Sequence, residues 1–565
     1  MSFAEFLHQV GGMGRFQIIH TMLLTIPIVL MASHNLLQNF TAAIPGHHCQ
    51  VHINANNTGY PNATLRLDSK DLLRVAIPMD RNRQPEKCRR FVTAQWQLLD
   101  PNVTEPNGTQ LDTEPCTEGW TYDRSMFTST IITEWDLVCN LQKFQQMAQS
   151  IYMAGVLVGA LVLGGLSDRF GRKAMLIWSF LQLAVMGTCT AFASSYISYC
   201  IFRFLGGMAL SGFGLSTACL IVEWIPTEFR TITIATTGFV YTLGQILLAG
   251  LAYGIPDWRW LQLTVSLPFF FFLIYSWFVW FAESARWLVL AGKDDRAVKV
   301  LQRVARMNGK WEEGEKITTE ILKSKMQKEL STVKSSYTIS DLVRTPAIRQ
   351  IFCCLSIVWF STSFSYYGLA MDLQNFGVSI YLIQLIFGAV DFPAKVVVTI
   401  SMSYIGRRIS LSAFLLLAGL VIIANIFLQI VRTSLAVIGK GCLSAAFNCV
   451  FLFTTELYPT PIRQTGLGFG STMARVGGIV APLAKMLDDY FTFLPPVVYG
   501  AAPIISGIVA TLLPETLNQL LPDTVEEVES RLVWLRGQGE GERGKDTKEK
   551  IPLQNQKKVL LKETC

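Results

Sequence analysis

Long apolar runs separated by shorter polar segments dominate the pattern of the chain. A bilayer core about 30 Å thick needs about 20 mainly apolar residues in a helix. Twelve runs meet this length, and we number them spans 1 to 12. Their centres lie near residues 27, 157, 184, 210, 241, 270, 360, 390, 420, 444, 476 and 505. The pattern therefore predicts an all-α membrane protein with twelve transmembrane helices.

The spans fall into two groups of six, as in transporters built from two related halves. We predict an N-terminal half (1–282), a linker with helices (283–349), a C-terminal half (350–514) and a largely disordered tail (515–565). A large loop, 41–144, separates spans 1 and 2. The first 14 residues are amphipathic, and we expect them to lie along the membrane surface.

Composition agrees with a membrane protein. Hydrophobic residues make up 51% of the chain and charged residues only 16%, where soluble proteins carry about a quarter. The net charge is +7, and the basic residues lie in loops beside the spans. This distribution indicates the positive-inside bias rather than nucleic-acid binding. We therefore predict a multi-pass plasma-membrane protein with both termini and the linker in the cytosol.

The loop 41–144 is predicted to be extracellular, because it combines glycosylation sequons with an even set of cysteines. Four cysteines predict two disulfides in one of three pairings, the alternative being free thiols. The cysteines are Cys49, Cys88, Cys116 and Cys139. The sequons of the loop are Asn56, Asn62, Asn102 and Asn107, and another, Asn39, lies before it beside the membrane.

Charged residues recur at matching ends of the two halves. Span 2 ends in the glycine-rich charged segment 164–173 and span 8 in the similar segment 404–408. An acid followed by an arginine comes after both span 4 and span 10, and further charges follow spans 6 and 12. We predict a cytosolic gate of salt bridges, the alternative being helix capping and topology alone. The predicted gate comprises Asp168, Arg169, Arg172, Glu223, Arg230, Glu283, Arg286, Arg407, Arg408, Glu456, Arg463 and Glu515.

Ionisable residues inside spans are costly and point to function. Arg475 lies among small residues in span 11, and a guanidinium can hold a carboxylate through two parallel bonds. The alternative is a structural pair with Asp391. Lys395 lies four residues after Asp391, so it is either a substrate ligand or the partner of that acid. Lys440 either reaches the site or extends its amine to the surface.

These motifs resemble those of a known family. From residue 1 to about 530 the chain is similar to the organic anion transporters of solute carrier family 22, within the major facilitator superfamily. Segment 277–283 is longer than the family pattern. The segments that carry the resemblance are 9–12, 39–45, 133–139, 167–173, 283–287 and 456–466.

The resemblance implies an aromatic binding site. Organic cation transporters of the same family carry Asp at the position of Arg475, so a change of charge there accompanies a change of cargo. Arg203 resembles a structural arginine of the superfamily. Any one aromatic residue can instead be packing. The expected substrate-binding residues are Arg475, Lys395, Lys440, Asn35, Tyr241, Trp359, Tyr366, Tyr367, Phe447 and Phe451.

The function implied is exchange of extracellular organic anions for intracellular 2-oxoglutarate or glutarate by alternating access. Expected cargoes are aromatic carboxylates, dicarboxylates, urate and drugs, and chloride is an additional candidate occupant. The alternative is an organic cation, zwitterion or sugar transporter of the same fold. Twelve spans with paired junction motifs do not suit a seven-helix receptor, and no cluster of His and acidic residues within the spans suggests a metalloenzyme. The sequence has no phosphate-binding loop, so we expect no nucleotide to be consumed. We expect no cofactor, no metal and no nucleic acid, with membrane lipid and a second copy as partners.

Overall fold

The computed structural model describes residues 3–51, 69–80, 84–99, 112–277, 281–324, 340–428, 431–459, 462–519, 522 and 525–530. Twelve helical spans are present, which confirms the predicted fold. The first half consists of Arg15–Thr25 with Ile28–Leu36 (span 1), Lys143–Phe170, Arg172–Ala191, Tyr196–Trp224, Thr227–Gly254, and Trp258–Ser266 with Pro268–Tyr275 (span 6). The second half consists of Pro346–Ala370, Ile380–Tyr404, Arg407–Phe427, Arg432–Leu457, Arg463–Lys485 and Leu494–Ala510.

Two spans are broken beside a proline. Pro27 separates the two helices of span 1, and Pro268 begins the second helix of span 6. A proline lacks the N–H of the helical ladder and is best tolerated at the first position of a helix. In the described part of the chain, nine helical segments are long and apolar enough to cross a membrane, with span 1 counted as one segment. The other three spans are span 6, which is broken at Pro268, span 11, and the shorter helix Leu494–Ala510.

The two halves are packed bundles that meet along spans 2 and 11 and along spans 5 and 8. Within the first half, spans 2 and 4 approach closely. Gly155 and Gly159 of span 2 lie directly against the backbone of Phe204 and Met208, where a Cβ atom would have no room. Small residues allow this approach, and close packing drives helix association in membranes.

One end of the bundle, here called the loop face, carries the segment between spans 1 and 2. It contains two small antiparallel sheets, His47–Cys49 with Trp120–Tyr122 and Arg89–Phe91 with Thr113–Pro115. Disulfides join Cys49 to Cys116 and Cys88 to Cys139, one of the three pairings that the sequence allows. The short helices of this face are Gln38–Thr41, Ser69–Ala76, Trp96–Leu99, Ile131–Trp135, Cys139–Leu141, Leu373–Phe376 and Met486–Asp489.

The predicted glycosylation of Asn39 does not fit the structure. Asn39 is only 8% exposed, and its Nδ2 donates a hydrogen bond to the carbonyl of Ala370 at 2.9 Å. This amide nitrogen is the atom to which a glycan would attach, so the folded chain does not present it. The sequons at Asn56, Asn62, Asn102 and Asn107 lie outside the described residues.

The opposite end, here called the linker face, carries the segment between spans 6 and 7. Its helices are Ala285–Leu290, Asp294–Met307, Trp311–Glu315 and Asp341–Arg344, and Asp294–Met307 is called the linker helix below. Part of segment 277–283 lies outside the described residues.

The N-terminal helix, Phe3–Gln9, lies on this face against protein rather than along the membrane surface as expected. Phe6, Leu7 and Val10 are buried, and the Asn308 side chain at the end of the linker helix donates to the carbonyl of Val10 at 2.9 Å. The apolar side of this amphipathic segment therefore covers the core of the first half.

Candidate functional site

A central cavity of about 550 Å³ lies between the two halves. Its volume is in the range of small-molecule binding sites, about 300–1,000 Å³. Spans 1, 2, 4 and 5 of the first half and spans 7, 10 and 11 of the second contribute to its walls.

The cavity is closed toward the loop face. There the Ser150 hydroxyl of span 2 donates to the carbonyl of Ile479 of span 11 at 3.0 Å, which joins the halves. At the other end the lining reaches Val222 and Ile234, close to where spans 4 and 5 meet the linker face. The cavity therefore extends toward the linker face in this conformation.

Arg475 is the only charged side chain among the described residues that line this cavity. Its Nη1 donates to the Ser471 hydroxyl, one turn earlier in span 11, at 2.7 Å. The predicted alternative, a pair between Arg475 and Asp391, is wrong, because Asp391 is engaged elsewhere. A guanidinium whose hydrogen-bond partner is a neutral hydroxyl retains its positive charge toward the cavity.

Lys440 and Asp391 form a buried ion pair, with Nζ 3.1 Å from Oδ1 and both side chains at most 3% exposed. Tyr366 accepts a hydrogen bond from Lys440 at 3.0 Å, and Gln245 donates to Asp391 at 3.0 Å. The expectation that Lys440 reaches the membrane surface is wrong, since it is 0% exposed. Lys440 is also not among the described residues that line the cavity, and its amine instead supplies the cationic partner that the buried Asp391 carboxylate needs.

Lys395 also differs from both predicted roles. Its Nζ donates to the carbonyl of Gly238 at 2.6 Å and to the hydroxyl of Thr242 at 2.8 Å, both on span 5. It also lies 5.4 Å from the centre of the Phe239 ring. Lys395 therefore joins span 8 to span 5 across the two halves, rather than pairing with Asp391 or lining the cavity.

The predicted aromatic residues form one side of the cavity. Trp359 and Tyr367 of span 7 and Phe447 and Phe451 of span 10 are all lining residues. The indole N–H of Trp359 donates to Thr454 at 3.0 Å, which fixes the ring orientation.

Tyr366 is a predicted site residue that the structure places behind this wall. Its ring packs edge-on against Phe447 at 5.3 Å, and its hydroxyl is bonded to Lys440. Tyr366 supports the wall from within the bundle.

Asn35 and Tyr241 lie on the opposite wall in a short hydrogen-bonded chain. Tyr152 donates to Asn35 Oδ1 at 2.9 Å, and Asn35 Nδ2 donates to the Tyr241 hydroxyl at 3.1 Å. Because that hydroxyl accepts from Asn35, its own proton can be donated to a molecule in the cavity. Arg203 stacks 4.1 Å from the centre of the Tyr152 ring, so it supports this chain from outside the cavity.

Sequence reasoning missed the part of the cavity that spans 2 and 4 build. These residues carry no charge or aromatic ring, so only the helix rotation in the folded bundle identifies them. They are Met153, Val156, Leu210, Ser211, Gly214, Leu215, Thr217, Ala218, Ile221 and Val222.

In the first half, the predicted gate residues form a compact cluster around the turn between spans 2 and 3. The Glu283 carboxylate accepts from the backbone N–H of Arg172 at 3.0 Å and of Lys173 at 3.1 Å. The Arg172 guanidinium pairs with Asp168 at 2.9 Å and with Glu223 at 3.5 Å. Burial raises the pKa of the Glu283 carboxyl, and the backbone N–H donors oppose that shift.

The second half repeats this cluster. The Glu515 carboxylate accepts from the backbone N–H of Arg407 at 2.8 Å and of Arg408 at 3.0 Å. The Arg407 guanidinium pairs with Glu456 at 3.1 Å. Glu515 thus corresponds to Glu283, and Arg407 to Arg172.

The remaining gate residues are distributed around the same ends. Arg230 and Arg463 each donate to a carbonyl five residues earlier, at 3.2 Å in both cases. Arg169 lies 5.6 Å from the Phe170 ring, and Arg286 is exposed. The ion pairs described for the predicted gate each lie within one half, so in this conformation they brace the halves separately instead of bridging them.

Gly406→Ala is expected to destabilise the protein by about 1–3 kcal/mol. Gly406 has φ +115° and ψ 161°, a region that is essentially restricted to glycine, and a Cβ would lie 2.7 Å from a Glu515 oxygen. Thermal unfolding of detergent-purified protein measures the loss. Gly250→Ala is the matched control, since no atom lies within 4 Å of its added Cβ. Equal melting temperatures for the two variants would contradict the role of this turn.

Comparisons with known proteins agree with this architecture. The family model described as "Sugar (and other) transporter" matches residues 102–527. Solute carrier family 22 member 6-A of Xenopus laevis is 62% identical over 536 residues, which cover 94% of this chain and 95% of that protein. Solute carrier family 22 member 20 of Mus musculus is 52% identical over 570 residues, with 100% of both chains covered.

A solved structure shares the fold at low sequence identity. The inward open conformation of the xylose transporter XylE from E. coli matches with a TM-score of 0.57, covering 91% of this chain and 99% of that chain at 14% identity. Another structure of XylE, described as a major facilitator superfamily symporter, matches with a TM-score of 0.53. The chain therefore belongs to solute carrier family 22, whose members are membrane transporters rather than enzymes, and it has the major facilitator fold.

Proposed function

We propose that the protein carries small organic anions across the plasma membrane and exchanges them for intracellular dicarboxylate. The observation that carries this proposal is the charge of the central cavity. Arg475 is the one charged group among its described lining residues, and its partner there is the neutral Ser471. An anionic cargo would supply the missing counter-charge.

The surroundings of Arg475 favour a cargo with an acid group and a flat body. A carboxylate 4 Å from a guanidinium gains about 4 kcal/mol at an effective dielectric constant of 20. The rings of Trp359, Tyr367 and Phe447 offer apolar surface beside it. The Tyr241 hydroxyl on the opposite wall can donate to a second polar group of the cargo, such as the second carboxylate of a dicarboxylate.

The alternative cargoes fit these walls less well. A cation would need an acid in the cavity, and the described lining residues include none. A sugar would need many hydrogen-bonding side chains, whereas most of the lining is apolar or aromatic. The buried acid of this region, Asp391, is already neutralised by Lys440.

Orientation follows from the chemistry of the two faces. The disulfides of the loop face suit the oxidising exterior, and the basic linker suits the cytosol. On this orientation both termini are cytosolic and the cavity extends toward the cytosol. The state described here is then the one that releases extracellular cargo and accepts the intracellular dicarboxylate, while chloride is a candidate occupant beside Arg475.

The test is uptake of a labelled aromatic carboxylate into cells that express the chain. Cells preloaded with glutarate should take up severalfold more label than unloaded cells, because the dicarboxylate carries the return step. Uptake of the label that does not change with preloaded glutarate would overturn the exchange mechanism but would still support anion transport. Uptake of a labelled organic cation or hexose in place of the carboxylate would overturn the cargo assignment itself.

A further inference from the structure

A second cavity, of about 490 Å³, lies at the linker face of the first half, away from the central cavity. We call it the linker pocket. Its walls come from the end of span 2, the start of span 3 and the linker helix with the segment before it. Nothing in the proposed transport cycle uses it.

The linker pocket is strongly basic. Lys293, Arg296 and Lys299 line its linker side, and Lys173 lines the side formed by span 3. The Lys293 amine lies 4.9 Å from the centre of the Trp287 ring, which holds it beside the pocket. Arg296 and Lys299 are exposed at the rim and form no ion pair with described residues.

Nearby acids offset these charges only in part. Glu283 is the one acid among the described lining residues, against four basic side chains, and its oxygens accept from the backbone N–H groups of Arg172, Lys173 and Ser284. Asp294, at the start of the linker helix, is paired with Lys323 at 3.1 Å. The pocket therefore keeps a surplus of positive charge.

An apolar strip continues from this basic cluster along span 3. Phe170 lines the pocket and is 56% exposed, and Ile177 lies beside it. The next residue, Trp178, and Leu181, one turn after Ile177, are exposed to 52% and 38% on a helix that is long and apolar enough to cross a membrane. Basic groups thus meet a lipid-facing apolar surface at one end of a span.

This arrangement has the chemistry of a phospholipid site. Basic pockets between transmembrane helices on the cytosolic side bind anionic headgroups, and an adjoining apolar surface accommodates acyl chains. A soluble anion would use the charges but not the strip along span 3. We propose that the linker pocket binds the headgroup phosphate of an anionic phospholipid of the cytosolic leaflet, with its acyl chains against span 3.

The site connects the lipid to the cluster at the turn between spans 2 and 3. The Lys173 amine donates to the carbonyl of Phe281 at 2.8 Å, and the indole of Trp287 donates to the carbonyl of Asp168 at 2.8 Å. A bound headgroup therefore holds the linker helix against that turn and stabilises the folded state. This inference rests on the cytosolic position of the linker face in the proposed function, but not on the nature of the cargo.

The test uses purified full-length protein in nanodiscs of phosphatidylcholine, with or without phosphatidylinositol. The substitutions are Lys293→Gln, Arg296→Gln and Lys299→Gln together. Each basic residue near an anionic surface is worth about a fivefold change in affinity, so the triple variant should bind the anionic lipid on the order of 100-fold more weakly. Phosphatidylinositol should raise the melting temperature of wild type and not of this variant.

The matched control neutralises three bases elsewhere on the linker, Arg306, Lys310 and Lys316, and should retain the lipid response. A charge-conserving variant, Lys293→Arg with Lys299→Arg, should also retain it. Equal lipid responses in the triple variant and in this control would overturn the proposal. So would stabilisation of wild type by soluble inositol phosphate in pure phosphatidylcholine, since that result indicates a free-anion site. Melting temperatures measure binding of the anionic lipid, and they do so whether or not the proposed cargo is correct.

Discussion

Arg475→Gln is expected to reduce uptake of an aromatic carboxylate by on the order of 100-fold or more. Truncating one partner of a desolvated charge pair costs about 2–5 kcal/mol, and every 1.4 kcal/mol is a factor of ten. Arg475 is the charge that the described cavity lining offers to an anion. Uptake per transporter at the cell surface, measured at low cargo concentration, gives the effect.

Ser471→Ala is the matched control for this prediction. It removes the hydroxyl that accepts from Arg475 but leaves the charge, so uptake should stay within a few-fold of wild type. Arg475→Lys keeps the charge and loses the planar fork, so an intermediate loss is expected. Unchanged uptake in Arg475→Gln at normal surface expression would show that the cargo binds elsewhere.

Lys440→Met is expected to destabilise the protein by about 3–5 kcal/mol, because it leaves the Asp391 carboxylate buried without a cation. Asp391→Asn with Lys440→Met removes both charges and should recover most of this loss. Thermal unfolding in detergent measures the single and double variants as a thermodynamic cycle.

The same pair of variants separates a structural role for Lys440 from a role in cargo binding. If Lys440 acts through Asp391, the double variant should regain transport together with stability. A double variant that is stable but transports nothing would instead place Lys440 or Asp391 in the transport reaction. Lys395→Met is a useful comparison. The Lys395 amine is bonded to Gly238 and Thr242, so its removal leaves no acid without a partner.

The sequence predicts the fold well because hydropathy and repetition are properties of the chain itself. Twelve apolar runs become twelve spans, and the repeated charged ends become the matching clusters at Arg172 and Arg407. The sequence does not predict in the same way which groups these charged residues bind. Glu283 and Glu515, which the sequence predicts as parts of a gate between the halves, instead accept from backbone N–H groups. These donors are unsatisfied at the starts of spans 3 and 9.

The buried charges show a second limit. Spacing along one helix pairs Asp391 with Lys395, and chemistry alone allows Asp391 with Arg475. The structure selects Lys440, a residue 49 positions away, because the rotation of span 10 brings its amine to the acid. Helix rotation depends on packing against several neighbours, so a single sequence does not fix it. The same reason hides the cavity residues of spans 2 and 4.

Asn39 illustrates the difference between a motif and its surroundings. The sequon is complete in sequence, yet the start of the loop packs so closely on span 7 that the amide is used for a bond to Ala370. No local pattern reports this contact, because its two partners are 331 residues apart.

The contacts that close the loop face determine how much free energy is needed to open it. Ser150 with Ile479, Asn39 with Ala370, and Gln374 with Ile44 are all neutral donors and acceptors. Water can replace either partner when they separate, at a net cost of about 1 kcal/mol per bond, whereas opening a buried ion pair costs several. The described ion pairs stay inside each half, and the charged groups that are bonded across the halves, Lys395 and Asp391, have neutral partners there. Opening to the exterior therefore separates no described ion pair. In the proposed function, the charge that changes its partner during the cycle is then Arg475, which gains and loses an anionic cargo.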